Sequence, residues 1–148
     1  MRVERSISID RDPKAVFAVV SDPTRYADFF VGITRWEPLD QKKRGIGARY
    51  RVLMQVGSIE AGGIVRVDTW DEPHTIEWEA ETGIRQRGSW ELVGDEDATD
   101  LTLTIEFDLS GGPVGVLVER LTGRIVARNM WATLLAARRI LEEENVSN

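Results

Sequence analysis

From Ile33 to Leu109 the apolar residues of this chain recur at every second position, and that period of two limits the possible folds more than any other feature. The final stretch sets Leu101, Leu103, Ile105, Phe107 and Leu109 against Thr102, Thr104, Glu106 and Asp108. Earlier, Tyr50, Val52, Met54 and Val56 alternate with Arg49, Arg51 and Gln55. Such alternation means one covered face and one wet face, as in an antiparallel sheet. Strands are predicted over Ile33–Leu39, Ala48–Val56, Ile59–Trp70, Thr75–Glu81, Gln86–Val93 and Asp100–Leu109. The links between them, such as Asp71-Glu72-Pro73-His74 and Gly94-Asp95-Glu96-Asp97, are short and turn-rich, as in a meander. Gly62-Gly63 inside one strand suggests a bulge or sharp bend.

The flanks have other periods. Val3, Ile7 and Ile9 alternate with Glu4, Ser6, Ser8 and Asp10, which predicts one further strand. Asp12-Pro13 and Asp22-Pro23 each pair a capping residue with a proline suited to the first helical position. They open a helix bearing Val16, Phe17 and Val20, then a short one over Thr24–Phe30 bearing Tyr26, Phe29 and Phe30. After Ser110-Gly111-Gly112-Pro113 a long amphipathic helix is predicted over about Val114–Glu144. At ~100° per residue, Leu117, Val118, Leu121, Ile125, Ala132, Leu135 and Ala136 share one stripe, which is expected to cover the sheet. The tail from Glu143 to Asn148 is expected to be dispensable for stability. The order of elements predicts an α+β domain spanning residues 1–148: a curved antiparallel seven-stranded sheet around a long C-terminal helix, with two short helices after the first strand.

Composition narrows the chemistry. The 148 residues include no cysteine and one histidine, with a formal net charge of −6. A thiolate metal site, a disulfide framework and a cysteine nucleophile are excluded, and a zinc site would have to rest on carboxylates alone. No metal and no cofactor is expected. His74 reads as a surface turn residue beside Pro73, not as the centre of a nucleophilic triad. Asp95-Glu96-Asp97 and Asp100 lack the order of a calcium loop and read as a solvated hairpin. Gly111-Gly112-Pro113-Val114-Gly115 lacks the Gly-Lys-Ser/Thr of a phosphate loop. The acidic balance makes nucleic acid and anionic membranes poor general partners. No apolar run reaches the ~18 residues of a membrane span. The N-terminus has no apolar signal core, so a cytoplasmic location is expected.

The long helix departs from this balance. Between Pro113 and Leu141 five arginines stand against one glutamate. Arg120 falls at the edge of the apolar stripe, Arg128 inside it and Asn129 at its other border. A buried, unpaired guanidinium costs several kcal/mol, so Arg128 is expected to have a partner. Either it fixes a ligand oxygen in an apolar cavity, or it snorkels to the rim or pairs with a sheet carboxylate. Arg120, Arg124 and Arg138 read as a solvated face.

The order of elements and several local motifs resemble the helix-grip fold of the START-like superfamily, also called the polyketide cyclase/dehydrase and lipid-transport superfamily or SRPBCC. The opening Asp12-Pro13-Lys14-Ala15-Val16-Phe17 with Ser21-Asp22-Pro23-Thr24-Arg25-Tyr26-Ala27-Asp28-Phe29-Phe30 is similar to that of the family. So are Pro73-His74-Thr75-Ile76-Glu77-Trp78 and Gly88-Ser89-Trp90-Glu91-Leu92 followed by Thr99-Asp100-Leu101-Thr102. The resemblance implies a cavity between sheet and long helix that takes a small hydrophobic or amphipathic molecule, lipid-, quinone- or polyketide-like. Candidate ligand-binding residues are then Tyr26, Phe29, Phe30, Tyr50, Val52, Met54, Trp78, Trp90, Phe107, Leu121, Ile125, Arg128 and Asn129. It also implies an alternative, a polyketide aromatase/cyclase, for which Arg128, Asn129 and Tyr50 are the candidates to orient a poly-ketone and stabilise an enolate. A third reading is a ribosome-associated regulatory protein, resting on the arginine row alone. Monomer and homodimer both remain open.

Overall fold

The computed structural model describes residues 1–109 and 112–147, with the backbone alone for residues 56, 59, 112–117 and 147. Strand β1 (Arg2–Ile9) leads into helix α1 (Pro13–Val20), a 3-10 turn (Pro23–Arg25) and the single-turn helix α2 (Tyr26–Phe29). Six strands follow: β2 (Ile33–Pro38), β3 (Arg49–Val56), β4 (Ile59–Asp71), β5 (Thr75–Ala80), β6 (Arg85–Gly94) and β7 (Thr99–Asp108). Helix α3 (Gly112–Ser147) ends the described chain. The strands form one antiparallel seven-stranded sheet in the order β1-β7-β6-β5-β4-β3-β2, curled into a half-barrel around α3. This is the α+β helix-grip architecture expected from the alternation, with most strand ends moved by one residue. The predicted helix over Thr24–Phe30 is the 3-10 turn plus α2.

Inward residues meet in cross-strand rows. Ile76, Trp90 and Leu103 form one row across β5, β6 and β7, and Leu92 faces Leu101 in the next. All five are buried. Asp12 stands at the N-cap of α1 without a side-chain hydrogen bond, whereas the Asp22 carboxylate accepts from the Thr24 N–H at 3.0 Å. No bulge interrupts the pairing with β3 at Gly62-Gly63, although Gly63 has a positive φ of 159°. Register with β3 runs through Leu53↔Gly62 and Val52↔Gly63 unbroken, and β4 shifts instead between Val67 and Thr69. Gly62 answers a close approach of chains: a Cβ there would lie 1.9 Å from the Val52 carbonyl oxygen.

Helix α3 corrects the largest expectation. Its covered face is Gly123, Val126, Met130, Thr133, Leu134, Ala137 and Leu141, packed against β1, β7 and the short helices. Most of the predicted stripe points away from the sheet, with Val118 47% exposed, Leu121 53% and Leu135 37%, while Ala136 at its edge packs against the core. Leu117 lies outside the described side chains. Leu121 and Met130 are nine residues apart, and nine steps of ~100° end half a turn away. The helix therefore carries two apolar faces, and periodicity cannot tell which one meets the sheet. Contacts of the helix end stand mostly before the tail expected to be dispensable, and within that tail Glu144 is held. The Arg25 guanidinium meets the Glu144 carboxylate at 2.6 Å, Arg11 donates to the Leu141 carbonyl at 2.6 Å, and the Asp10 N–H donates to Glu142 at 3.0 Å.

Candidate functional site

Two regions share the space inside the half-barrel. The first is an aromatic body built from Tyr26 and Phe29 of α2, Phe30 behind them, Trp36 of β2, Tyr50 of β3, Trp78 of β5 and Trp90 of β6. Trp36 is its hub. Its ring centroid lies 5.0 Å from Tyr26, 5.4 Å from Trp78, 5.9 Å from Tyr50 and 6.0 Å from Phe30, and Phe30 in turn meets Trp90 at 5.7 Å. The contacts of Trp36 with Tyr26 and Trp78, and of Phe30 with Trp90, are edge-to-face, a geometry that adds about 0.5–1.5 kcal/mol each beyond burial. The Tyr26 hydroxyl donates to the Val20 carbonyl at 2.6 Å, and the Tyr50 hydroxyl donates to the Lys43 carbonyl. Burial pushes the Tyr26 phenol well above its ordinary value. The nearby Trp90 indole pulls the other way, although its N–H does not reach hydrogen-bond geometry with the phenol oxygen. Burial raises the Tyr50 phenol too, opposed by Arg44. Among the described residues, the buried indole N–H groups of Trp36 and Trp90 meet no acceptor. An unpaired buried donor costs about 1–3 kcal/mol, so each is a place where an acceptor would be rewarded.

This end of the barrel is closed by the segment between β2 and β3. Arg44 from that segment donates to the Ser21 hydroxyl at 2.7 Å, and its guanidinium lies 5.6 Å from the centre of the Trp70 ring. Trp70 meets Phe17 edge to face at 5.2 Å.

The second region lies at the opposite end, under the first half of α3. It is an apolar cavity of about 50 Å³ lined by Met54, Ala61, Gly62, Ile84, Ile105, Phe107, Leu109 and Val126, with Gln86 and Thr122 as the polar members of its wall. Pairing of Met54 with Ala61, and of Gln86 with Phe107, brings β3, β4, β6 and β7 together here. Thr122 and Val126 close it from the helix side.

The expected site residues divide among these regions. Tyr26, Phe29, Phe30, Tyr50, Val52, Trp78 and Trp90 are buried in the packed interior, and Met54 and Phe107 line the cavity. Leu121 and Arg128 are exposed on the outer face of α3, with Ile125 half-buried on that same side. Arg128 is therefore not a charge facing the sheet, because the helix is rotated by about half a turn from the expected setting. Asn129 is half-buried at the border. Its carbonyl accepts from the Thr133 hydroxyl at 2.7 Å, and that hydroxyl accepts from the Val31 N–H at 2.9 Å. Ala61, Gly62, Ile84, Gln86, Ile105, Leu109, Thr122 and Val126 were missed as lining. One signal was available: Gln86 is in phase with the inward Gly88, Trp90 and Leu92, a polar residue at a core position. His74 is an exposed turn residue, and the Asp95 carboxylate is held low by the N–H groups of Asp97 and Ala98 within its own hairpin. Among the described residues no helix is long and apolar enough to cross a membrane.

Residues 1–142 match the family described as polyketide cyclase/dehydrase and lipid transport. Similar solved structures include a protein of Thermus thermophilus at TM-score 0.83 and 16% identity, covering 97% of this chain and 99% of that one. The Zhui aromatase/cyclase of a Streptomyces species is similar at TM-score 0.80 and 24% identity, covering 96% and 93%. A START superfamily protein of Mycobacterium smegmatis is similar at TM-score 0.75 and 17% identity, covering 96% and 97%. No curated protein matches the sequence.

Proposed function

Because the chain belongs to the polyketide cyclase/dehydrase and lipid-transport family, we propose that it binds one small hydrophobic or amphipathic molecule between the sheet and α3 and performs no bond chemistry of its own. The observation that carries this reading is the apolar cavity under α3, with Gln86 and Thr122 as its polar members. Pockets for small molecules are apolar with a few placed polar groups. Here the Gln86 amide and the Thr122 hydroxyl would fix one oxygen-bearing end while Ile84, Ile105, Phe107 and Val126 take the apolar body. At about 50 Å³ the cavity is far below the roughly 300 Å³ of a drug-sized pocket, so a ligand enters only as α3 lifts from the sheet around Thr122 and Val126.

The test is titration of the delipidated protein with an apolar fluorescent probe, alongside Ala61→Phe, which fills the cavity from the β4 side. Native mass spectrometry of the protein as purified identifies any co-purifying molecule. Saturable probe binding that Ala61→Phe abolishes, with an unchanged fold, supports the reading. No probe binding, or equal binding by both proteins, overturns it.

A second reading, cyclisation of a poly-ketone, draws on the buried indole donors of Trp36 and Trp90, which lack acceptors inside an aromatic wall. A ketone chain reaching past Met54 toward Trp36 would offer them oxygens, and catalysis would consist of holding the chain in a folded shape. An unchanged product profile on adding the protein to a polyketide-forming system overturns it.

A further inference from the structure

The outer face of α3 interleaves arginines with apolar residues. From Val118 to Arg139 its exposed residues are Val118, Arg120, Leu121, Arg124, Arg128, Trp131, Leu135 and Arg139. All are arginine or apolar, and none is a carboxylate, in a protein of net charge −6. Trp131 is 45% exposed. Among the described residues Arg120, Arg124 and Arg128 have no ion pair and no hydrogen bond. The cationic surface continues across the cleft to the edge strand β1, where Arg5 and Arg2 line the same groove as Arg120 and Arg124. Among the described residues Arg5 meets only the neighbouring Glu4 carbonyl, while Arg2 is held by Glu4 and Glu106.

We propose that this face of α3 docks on a bilayer surface carrying anionic lipid. The arginines and the apolar residues are interleaved, and this decides among anionic partners. Nucleic acid would reward the guanidiniums but not the burial of Val118, Leu121 and Leu135. A second copy of the chain would set one arginine row against another, and a packed helical partner would bury Arg128 between Leu121 and Leu135 without a matching carboxylate of this chain. A lipid interface accepts both parts at once. Apolar side chains and the amphipathic Trp131 sink to the acyl boundary, while arginine stems follow them and the guanidiniums reach headgroup phosphates. The proposal rests on exposure and charge alone and does not depend on the cavity having a ligand.

The test is co-sedimentation of the full chain with phosphatidylcholine vesicles with and without phosphatidylglycerol. Binding is expected to the anionic vesicles only, and to fall as salt rises from about 0.1 M to about 1 M, which shortens the Debye length from ~10 Å to ~3 Å. Trp131 is the most exposed indole, since Trp78 and Trp90 are buried and Trp36 and Trp70 half-buried, so a blue shift of emission on binding should vanish in Trp131→Ala. Each basic residue near such a surface is worth roughly fivefold, so Arg124→Glu with Arg128→Glu should lower partitioning by at least ~25-fold while leaving the melting temperature unchanged. Equal sedimentation with both vesicle types, none with either, or none of the expected loss in the charge-reversed variant overturns the proposal. So does a dimer in sedimentation equilibrium that Trp131→Glu dissociates, or retention on duplex DNA in place of vesicles.

Discussion

The Trp78 indole packs against the bare Cα of Gly88 on the neighbouring strand, so closely that a Cβ on Gly88 would stand 2.2 Å from Trp78 Cζ2. Trp78 is 3% exposed and braced at 5.4 Å by Trp36, so it has little room to yield. Gly88→Ala is expected to destabilise the fold by about 1–3 kcal/mol through overpacking. Chemical denaturation of the two proteins checks this, and an unchanged midpoint would mean that the aromatic body repacks freely.

The buried Tyr26 phenol makes stability depend on alkaline pH. Its folded value lies above the 10.0 of the free side chain, because burial penalises the phenolate. Folding therefore favours the protonated form. That contribution is complete below about pH 10 and is lost as pH rises from there toward the folded value. Tyr26→Phe removes the titration together with the hydrogen bond to the Val20 carbonyl. The variant should be less stable than the parent by about 1 kcal/mol at neutral pH, and the gap should close above pH ~10. Melting curves from pH ~7 to ~11 read this directly, and parallel curves would count against it.

The opposite sign holds for Glu81 at the sheet surface. Arg49 donates to both its carboxylate oxygens, at 2.9 and 3.2 Å, and holds the carboxyl below its ordinary value. A depressed folded pKa means that the contribution is present above the unfolded value of about 4.3 and is lost as pH falls through the folded one. Wild type and Glu81→Gln should differ in melting temperature at neutral pH and converge on acidification below pH ~4. A difference that persists undiminished at pH ~3 would show that the ion pair is not its source.

Truncation separates two parts of the C-terminal tail. Removing residues 144–148 breaks the half-exposed pair of Arg25 with Glu144 and should cost at most about 1 kcal/mol. Removing residues 141–148 also deletes fully buried Leu141 and the carbonyl to which Arg11 donates, and should cost about 2–5 kcal/mol. At roughly 2–4 °C per kcal/mol the two melting temperatures separate clearly. Equal losses would mean that the last turn of α3 is docked more firmly than its ion pair indicates.

The sheet was legible in the sequence because a strand's alternation directly records which face is covered. The inward row of Leu101, Leu103, Ile105 and Phe107 is the row that alternation predicts. The cavity was legible only in part. Ile105 and Leu109 belonged to that inward row and Gln86 broke a neighbouring one, but which inward residues meet a void and which meet each other depends on the rings of Trp36, Phe30 and Trp90 from distant segments. The rotation of α3 was not legible at all. A helix with Leu121, Ile125 and Leu135 on one side and Val126, Met130 and Leu134 on the other has two surfaces that can be buried. Local periodicity assigns each residue to a side and leaves the choice of side to the partner. The choice was made by packing: Met130, Leu134 and Leu141 reach full burial against the half-barrel, and the Thr133 hydroxyl satisfies the Val31 N–H. The opposite setting would have turned the guanidinium of Arg128 toward the sheet, where burying an unpaired charge costs several kcal/mol. Sequence thus determined the sheet, the order of elements and the existence of a two-faced helix. Tertiary packing decided which face became core and which, with its arginines, was left outside.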